Sequence, residues 1–133
     1  MKVRNLTYND YDKLVEWWKF WRFPAPAREM LPNNALDGYM VTYDNKDIVA
    51  GFIYRTSSPY LWWIEFIVAN PNIKDRELRE KSIVYLLDFM TNIIKQLGGK
   101  AVYSSINHPN LIKHYEKAGF KKGSKAVEMI KVL

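Results

Sequence analysis

Leu61-Trp62-Trp63-Ile64-Glu65-Phe66-Ile67-Val68-Ala69 is an almost unbroken run of aromatic and β-branched residues interrupted by one charge, Glu65. Such a run reads as a strand covered on both faces. Asn70-Pro71 ends it. After a polar loop, Ile83, Leu86, Leu87, Met90, Ile93, Ile94 and Leu97 recur at three- and four-residue steps, the stripe of a core-facing helix expected over 82–97. Gly98-Gly99 closes that helix, because glycine takes the left-handed conformation past a C-terminus without a Cβ penalty. Lys100-Ala101-Val102-Tyr103-Ser104-Ser105-Ile106 then reads as a second strand, parallel to the first and reached by a right-handed crossover. A β-α-β frame of this kind is a place where ligands bind.

Working outward, Met1 to Leu6 alternates over a short span and predicts an edge strand. Thr7 or Asn9 is placed to cap a helix through Tyr11, Leu14, Val15 and Trp18, which must stop before Pro24. Ala27 to Leu31 is expected as a second short helix. Asp37 to Tyr43 and Ile48 to Arg55 flank a turn cluster, Asp44-Asn45-Lys46-Asp47, and form a hairpin that leads into the central strand. Past the parallel strand, Asn107-His108-Pro109-Asn110 opens a short helix to Lys117, and Ala126 to Leu133 is expected as a last strand.

The 133 residues are 48% hydrophobic, which suits one domain with a real core. No cysteine is present, so disulfides, thiolate nucleophiles and zinc-thiolate sites are excluded, and two histidines are too few for a histidine-based metal site. No apolar run approaches the roughly 20 residues of a membrane span, and no signal-peptide core follows Met1, so a cytoplasmic protein is expected. The net charge of +6 lies entirely in the second half: residues 67–133 hold twelve Lys/Arg and six Asp/Glu, against eight of each in 1–66. That excess is either a solvated lysine-rich face or a field that attracts an anionic ligand to the β-α-β frame. Trp17, Trp18, Phe20, Trp21 and Phe23 crowd into seven positions, more aromatic surface than one helix face buries. The surplus packs on a sheet edge or a second subunit, as in a homodimer, or walls an acceptor pocket.

The element order β-α-α-β-β-β-α-β-α-β, the string Tyr115-Glu116-Lys117-Ala118-Gly119-Phe120 and a central strand closing on Pro71 together resemble the GNAT family of acetyl-CoA-dependent N-acetyltransferases, over nearly the whole chain. The resemblance implies an α/β (α+β) fold. It would be a mixed, twisted sheet of six to seven strands flanked by helices, in one domain over residues 1–133. It implies acetyl-CoA as acyl donor, with the pantetheine arm inserted beside the central strand on the backbone of Ile67, Val68 and Ala69. Tyr115 takes the place of the family's general acid toward the departing thiolate, a role that suits a phenol protonated near neutral pH. Without its neighbours in the string, Tyr115 would read as a packed helix tyrosine.

The family's phosphate-cradling loop maps onto Arg79, Glu80, Lys81, Ser82, Ile83 and Val84. Arg79 fits, but Ser82 and Val84 stand where small residues let backbone amides close on the pyrophosphate. Asp75 could cap a longer helix and leave no cradle. The Asn-Pro that contacts the pantetheine arm corresponds to His108-Pro109, with Asn107 and Asn110 able to substitute. Glu65 is the candidate general base, since its tryptophan neighbours would desolvate it and raise its pKa; as plain structure it is a strand carboxylate paired with a basic side chain. Three functions follow: an N-acetyltransferase acting on a primary amine of a small molecule or protein by direct attack, a GNAT-like CoA-binding or interaction module without turnover, and a basic nucleic-acid-binding protein. The third is disfavoured because the lysines form no dense stripe.

Overall fold

The computed structural model describes residues 1–133. Five strands form a mixed sheet in sequential order: β1 (Lys2–Asn5), β2 (Gly38–Tyr43), β3 (Lys46–Arg55), β4 (Leu61–Ala69) and β5 (Ala101–Tyr103). β1 to β4 form an antiparallel meander, and β4 pairs with β5 in parallel. The central strand and the strand after the long helix are therefore neighbours, as the apolar runs predicted. No helix is long and apolar enough to cross a membrane.

Two helices cover opposite faces. α1 (Asp10–Phe20) lays Leu14, Trp17 and Trp18 on Met40, Ala50, Phe52 and Val68. On the other face, α2 (Arg76–Gln96) packs Ile83, Leu86, Leu87, Met90 and Ile94 against Val41, Val49, Trp62 and Ile64. A third helix, α3 (Pro109–Lys117), adds Tyr115 to that second cluster. Each fully buried Leu or Ile here is worth roughly 1.5–3 kcal/mol of transfer free energy, so these two stripes carry the fold.

Local chemistry sets the ends of the elements. The hairpin turn is tighter than the four-residue cluster suggested, because Asp44 and Asn45 both take positive φ (52° and 59°) and close β2 onto β3 in two residues. Arg22 (φ 57°) turns the chain out of α1 two residues before Pro24. α2 begins a turn and a half earlier than the apolar stripe implied, because the Asp75 side chain accepts the Leu78 amide at 3.1 Å and caps a polar first turn. Gly98 (φ 94°) ends the helix as expected.

Three expectations are corrected. Ala27 to Leu31 is not a helix but one 3-10 turn, Arg28–Met30, squeezed between Pro26 and Pro32. The last strand does not form: residues 121–133 pair with nothing and are all exposed, so the sheet has five strands and not six to seven. A strand needs an edge to pair with, and β5 offers only three residues. β5 stops at Tyr103 and not Ile106, because the next two residues turn toward β4 through Ser104 Oγ and the Ser105 amide.

Candidate active site

β4 does not alternate throughout. Ala50 opposes Val68 and Phe52 opposes Glu65, so the single Gly51 faces both Phe66 and Ile67. This is a β-bulge, and Phe66 carries its positive φ of 59°. Gly51 permits it, since a Cβ there would collide with the Ile67 side chain and crowd Leu86 and Met90. The bulge breaks the phase of the strand. Glu65 lies opposite Phe52, Phe66 packs beside the α1 cluster, and Ile67 turns to the α2 cluster.

β4 and β5 pair only from Leu61–Ala101 to Trp63–Tyr103 and then separate. At the fork, Ser104 Oγ donates to the Ile64 carbonyl, and the Tyr115 hydroxyl stands 3.1 Å from the same Oγ. One residue on, the Ser105 amide donates to Glu65 Oε1 at 2.6 Å. Beyond these contacts no backbone bond joins Ile67, Val68 or Ala69 to the chain after β5. Asn70 N donates to Ile48 O, so the Val49–Ala69 pair is of the non-bonded kind and the Ala69 carbonyl points away from β3, toward the open side. There it accepts the Trp21 Nε1 proton at 2.8 Å.

The two candidate proton carriers are both perturbed by burial. Tyr115 is 3% exposed, stacked edge-on against Phe120 with centroids 4.8 Å apart. Burial pushes its hydroxyl well above the ordinary tyrosine value, with help from the Glu65 charge. It is a firmly protonated group at the fork. Burial also raises the Glu65 carboxyl, partly offset by the Ser105 amide. Around Glu65 lie Trp63, stacked on Tyr103 at 5.0 Å, and Phe66, which meets Phe23 at 6.4 Å and Tyr54 at 6.2 Å. Of the crowded aromatics, Trp17 and Trp18 belong to the core, while Phe20, Trp21 and Phe23 stay about half exposed beside β4.

The residues aligned with a phosphate cradle do not meet at this fork. Ser82, Ile83 and Val84 are the seventh to ninth residues of α2, so their amides belong to the helix ladder and are not free to cradle an anion. Ser82 is fully buried against Met1, and Lys81 pairs with Glu77 at 2.9 Å on the surface. Arg79 folds back onto the Ile73 carbonyl. The unpaired amides of this helix are those of Arg76 and Glu77. On α3, His108 Nδ1 accepts the Asn110 amide at 3.2 Å as the N-cap, and Asn107 and Asn110 are exposed nearby. Sequence reasoning missed Ser104, Ser105 and Gly51, and it named Trp21 only as one of the crowded aromatics, not as the donor to Ala69. Only the clustering of small and aromatic residues hinted at them.

No family model matches the sequence, and no curated protein sequence does either. Solved structures do match. N-acetylglutamate synthase from Neisseria gonorrhoeae, in complex with coenzyme A and N-acetyl-glutamate, superposes with a TM-score of 0.71 at 14% identity, over 92% of this chain and 28% of that one. The chain thus spans little more than a quarter of the synthase. An aminoglycoside acetyltransferase from an uncultured soil metagenomic sample, in complex with trehalose, gives 0.66 at 16% identity over 99% and 95% of the two chains. A wild-type protein of Thermus thermophilus gives 0.69 at 14% identity over 100% and 98%. With its meander, its bulged central strand and its parting from β5, the chain has the fold of the GNAT acetyltransferases.

Proposed function

We propose that the protein is an acetyl-CoA-dependent N-acetyltransferase that acylates a primary amine by direct attack. The observation that carries this reading is the fork: an open strand edge with Tyr115 at its base and Glu65 beside it. The edge-facing backbone of Ile67 and Ala69, with the Ala69 carbonyl released from Trp21, suits the amide-rich pantetheine arm. The unpaired Arg76 and Glu77 amides, next to Lys74, suit its pyrophosphate in place of Ser82 to Val84. Bound there, the thioester supplies an activated acyl group.

Glu65 takes the proton that the attacking nitrogen loses as the new C–N bond forms. When the C–S bond breaks, the Tyr115 hydroxyl protonates the sulfur, whose charge would be costly in a cleft with little water. The resulting phenolate regains its proton from solvent by way of Ser104. With no cysteine in the chain, no thiol is at hand to carry the acyl group on the enzyme. The aromatic side chains around Glu65 favour an ammonium-bearing acceptor, small or protein-borne.

The test is calorimetric titration with acetyl-CoA together with thiol release in the presence of a panel of amines. Binding with acceptor-dependent thiol release supports the enzyme. Binding without turnover leaves the second reading, a GNAT-like CoA-binding module. No binding at millimolar acetyl-CoA removes both.

A further inference from the structure

Alternation along β3 and β4 sorts the side chains near the fork onto two faces. Ile53, Trp62 and Ile64 point to the α2 side, whereas Phe52 and Tyr54 belong to the α1 side. Glu65 opposes Phe52 and Trp63 opposes Tyr54, so Trp63 and Glu65 share the α1 face. Trp63 stacks there on Tyr103, and Phe66 meets Tyr54 and Phe23. The bay these rings form is open to solvent, with Tyr103 54% and Phe23 48% exposed.

Glu65 is the one acidic group of this bay, and it has no counter-ion. No lysine, arginine or histidine pairs with it, and the Ser105 amide that reaches it is a neutral donor. The charge that acts on it from elsewhere, Glu128, is of its own sign. A half-buried carboxylate normally has a cationic partner, and aromatic faces add their own attraction for an ammonium ion. The remaining polar groups are spent: the Tyr54 hydroxyl donates to the Met30 carbonyl at 2.9 Å, and the Ser105 amide is on Glu65. A sugar or a peptide backbone would leave buried hydroxyls or amides without partners here, and an amino acid would bring its carboxylate against Glu65. Trp63 and Glu65 stand two residues apart on one face, about 7 Å along the strand. An ammonium on Glu65 and a ring on the Trp63–Tyr103 pair are therefore joined by a short link of about two or three carbons.

Resting on the acetyltransferase reading, we infer that the acceptor is a small arylalkylamine, its ammonium held by Glu65 and its ring laid on Trp63 and Tyr103. The ring pair sets acceptor choice. Because Tyr115 belongs to the α2-side cluster, the amine enters the fork from the face opposite the group that meets the sulfur.

One arm of the test needs no turnover. Calorimetric titration of phenethylamine into the protein, with and without CoA, should show binding about tenfold tighter than that of butylamine. Glu65→Gln should weaken it, and Tyr103→Ala should weaken it by about 2- to 10-fold while Tyr103→Phe does not. Tyr103 is half exposed, and an unchanged Tm of the variant separates a lost contact from a lost fold. In thiol release from acetyl-CoA, kcat/KM should rank phenethylamine above butylamine, spermidine, phenylalanine and phenylalaninamide, and Tyr103→Ala should narrow the gap to butylamine. Thiol release that favours any of those four over phenethylamine overturns the inference and keeps the acetyltransferase reading; a preference for phenylalaninamide would point to protein N-termini. Phenethylamine binding that depends on Glu65 and Tyr103, without thiol release from any amine, supports the ligand class and removes the acetyltransferase reading. Absence of phenethylamine binding, or binding indifferent to Glu65→Gln and Tyr103→Ala, overturns the inference.

Discussion

The Tyr115 hydroxyl and Ser104 Oγ are 3.1 Å apart at the point where β4 and β5 separate, and Ser104 also reaches the Ile64 carbonyl. A hydroxyl has one proton and a carbonyl has none, so Ser104 donates to Ile64 and Tyr115 donates to Ser104. The phenolic proton is thus held at the fork, ready to be redirected to a thiolate. Tyr115→Phe should lower kcat by roughly 10²–10⁴-fold. Ser104→Ala, which removes only the acceptor that orients that proton, should cost about tenfold or less. Steady-state rates with an identified amine decide this. Equal rates for Tyr115→Phe and wild type would leave Tyr115 as a packing residue against Phe120.

Glu65 gives a pH signature. Its carboxyl is raised above 4.5 by burial, so kcat/KM should fall as pH drops through that raised value, when the base becomes protonated. Glu65→Gln should abolish the acid limb and lower kcat/KM by roughly 10²–10⁴-fold. The stability effect has the opposite sense. A folded pKa above the unfolded one means that the protonated form is favoured in the fold and that stability is lost as pH rises through the folded value. Glu65→Gln should therefore melt no lower than wild type at neutral pH; a markedly lower Tm would mean the contact to the Ser105 amide is mainly structural.

Trp21 Nε1 holds the Ala69 carbonyl that an incoming pantetheine arm would use. Trp21→Phe removes the competing donor and keeps an aromatic ring. Calorimetry should show acetyl-CoA binding tighter by about 2- to 10-fold, the worth of one hydrogen bond. Unchanged or weaker binding would indicate that the arm does not reach Ala69.

Asp10 is the electrostatic knot of the α1 side. Its 3%-exposed carboxylate takes two hydrogen bonds from Arg4 at 2.7 and 2.9 Å, and one from the Thr7 amide at 2.7 Å. Burial pushes the carboxyl up, but the Arg4 and Thr7 hydrogen bonds and the Arg4 charge outweigh it and hold it well below the usual carboxylate range. With Arg4 about a third exposed, Asp10→Asn should cost about 1–3 kcal/mol, seen as a lower Tm. Because the folded pKa is depressed, this stability is present above the unfolded value of 3.8 and lost as pH falls through the folded one. The Tm gap between variant and wild type should therefore narrow below pH 3.8; a gap independent of pH would assign the loss to packing.

Whatever rests on local periodicity and local backbone chemistry could be read from the residues in order. The α2 stripe from Ile83 to Ile94, the Gly98 stop and the end of α1 before Pro24 were legible because each depends on residues within a turn or two of one another, and the meander and the parallel neighbour of β4 followed from the order of the strands and the length of their connections. The rest was decided by contacts between segments distant in the chain. Leu61 to Ala69 reads as a uniform strand, and nothing in it marks Phe66 as the residue of positive φ; that follows from Gly51 on the next strand, which leaves room for one residue to face two. Nor does the composition of Arg79 to Val84 show that Asp75 starts the helix early and commits those amides to its ladder. The β-branched residues of Ala126 to Leu133 give strand character, but a strand exists only where it pairs, and residues 126–133 pair with none of the five strands.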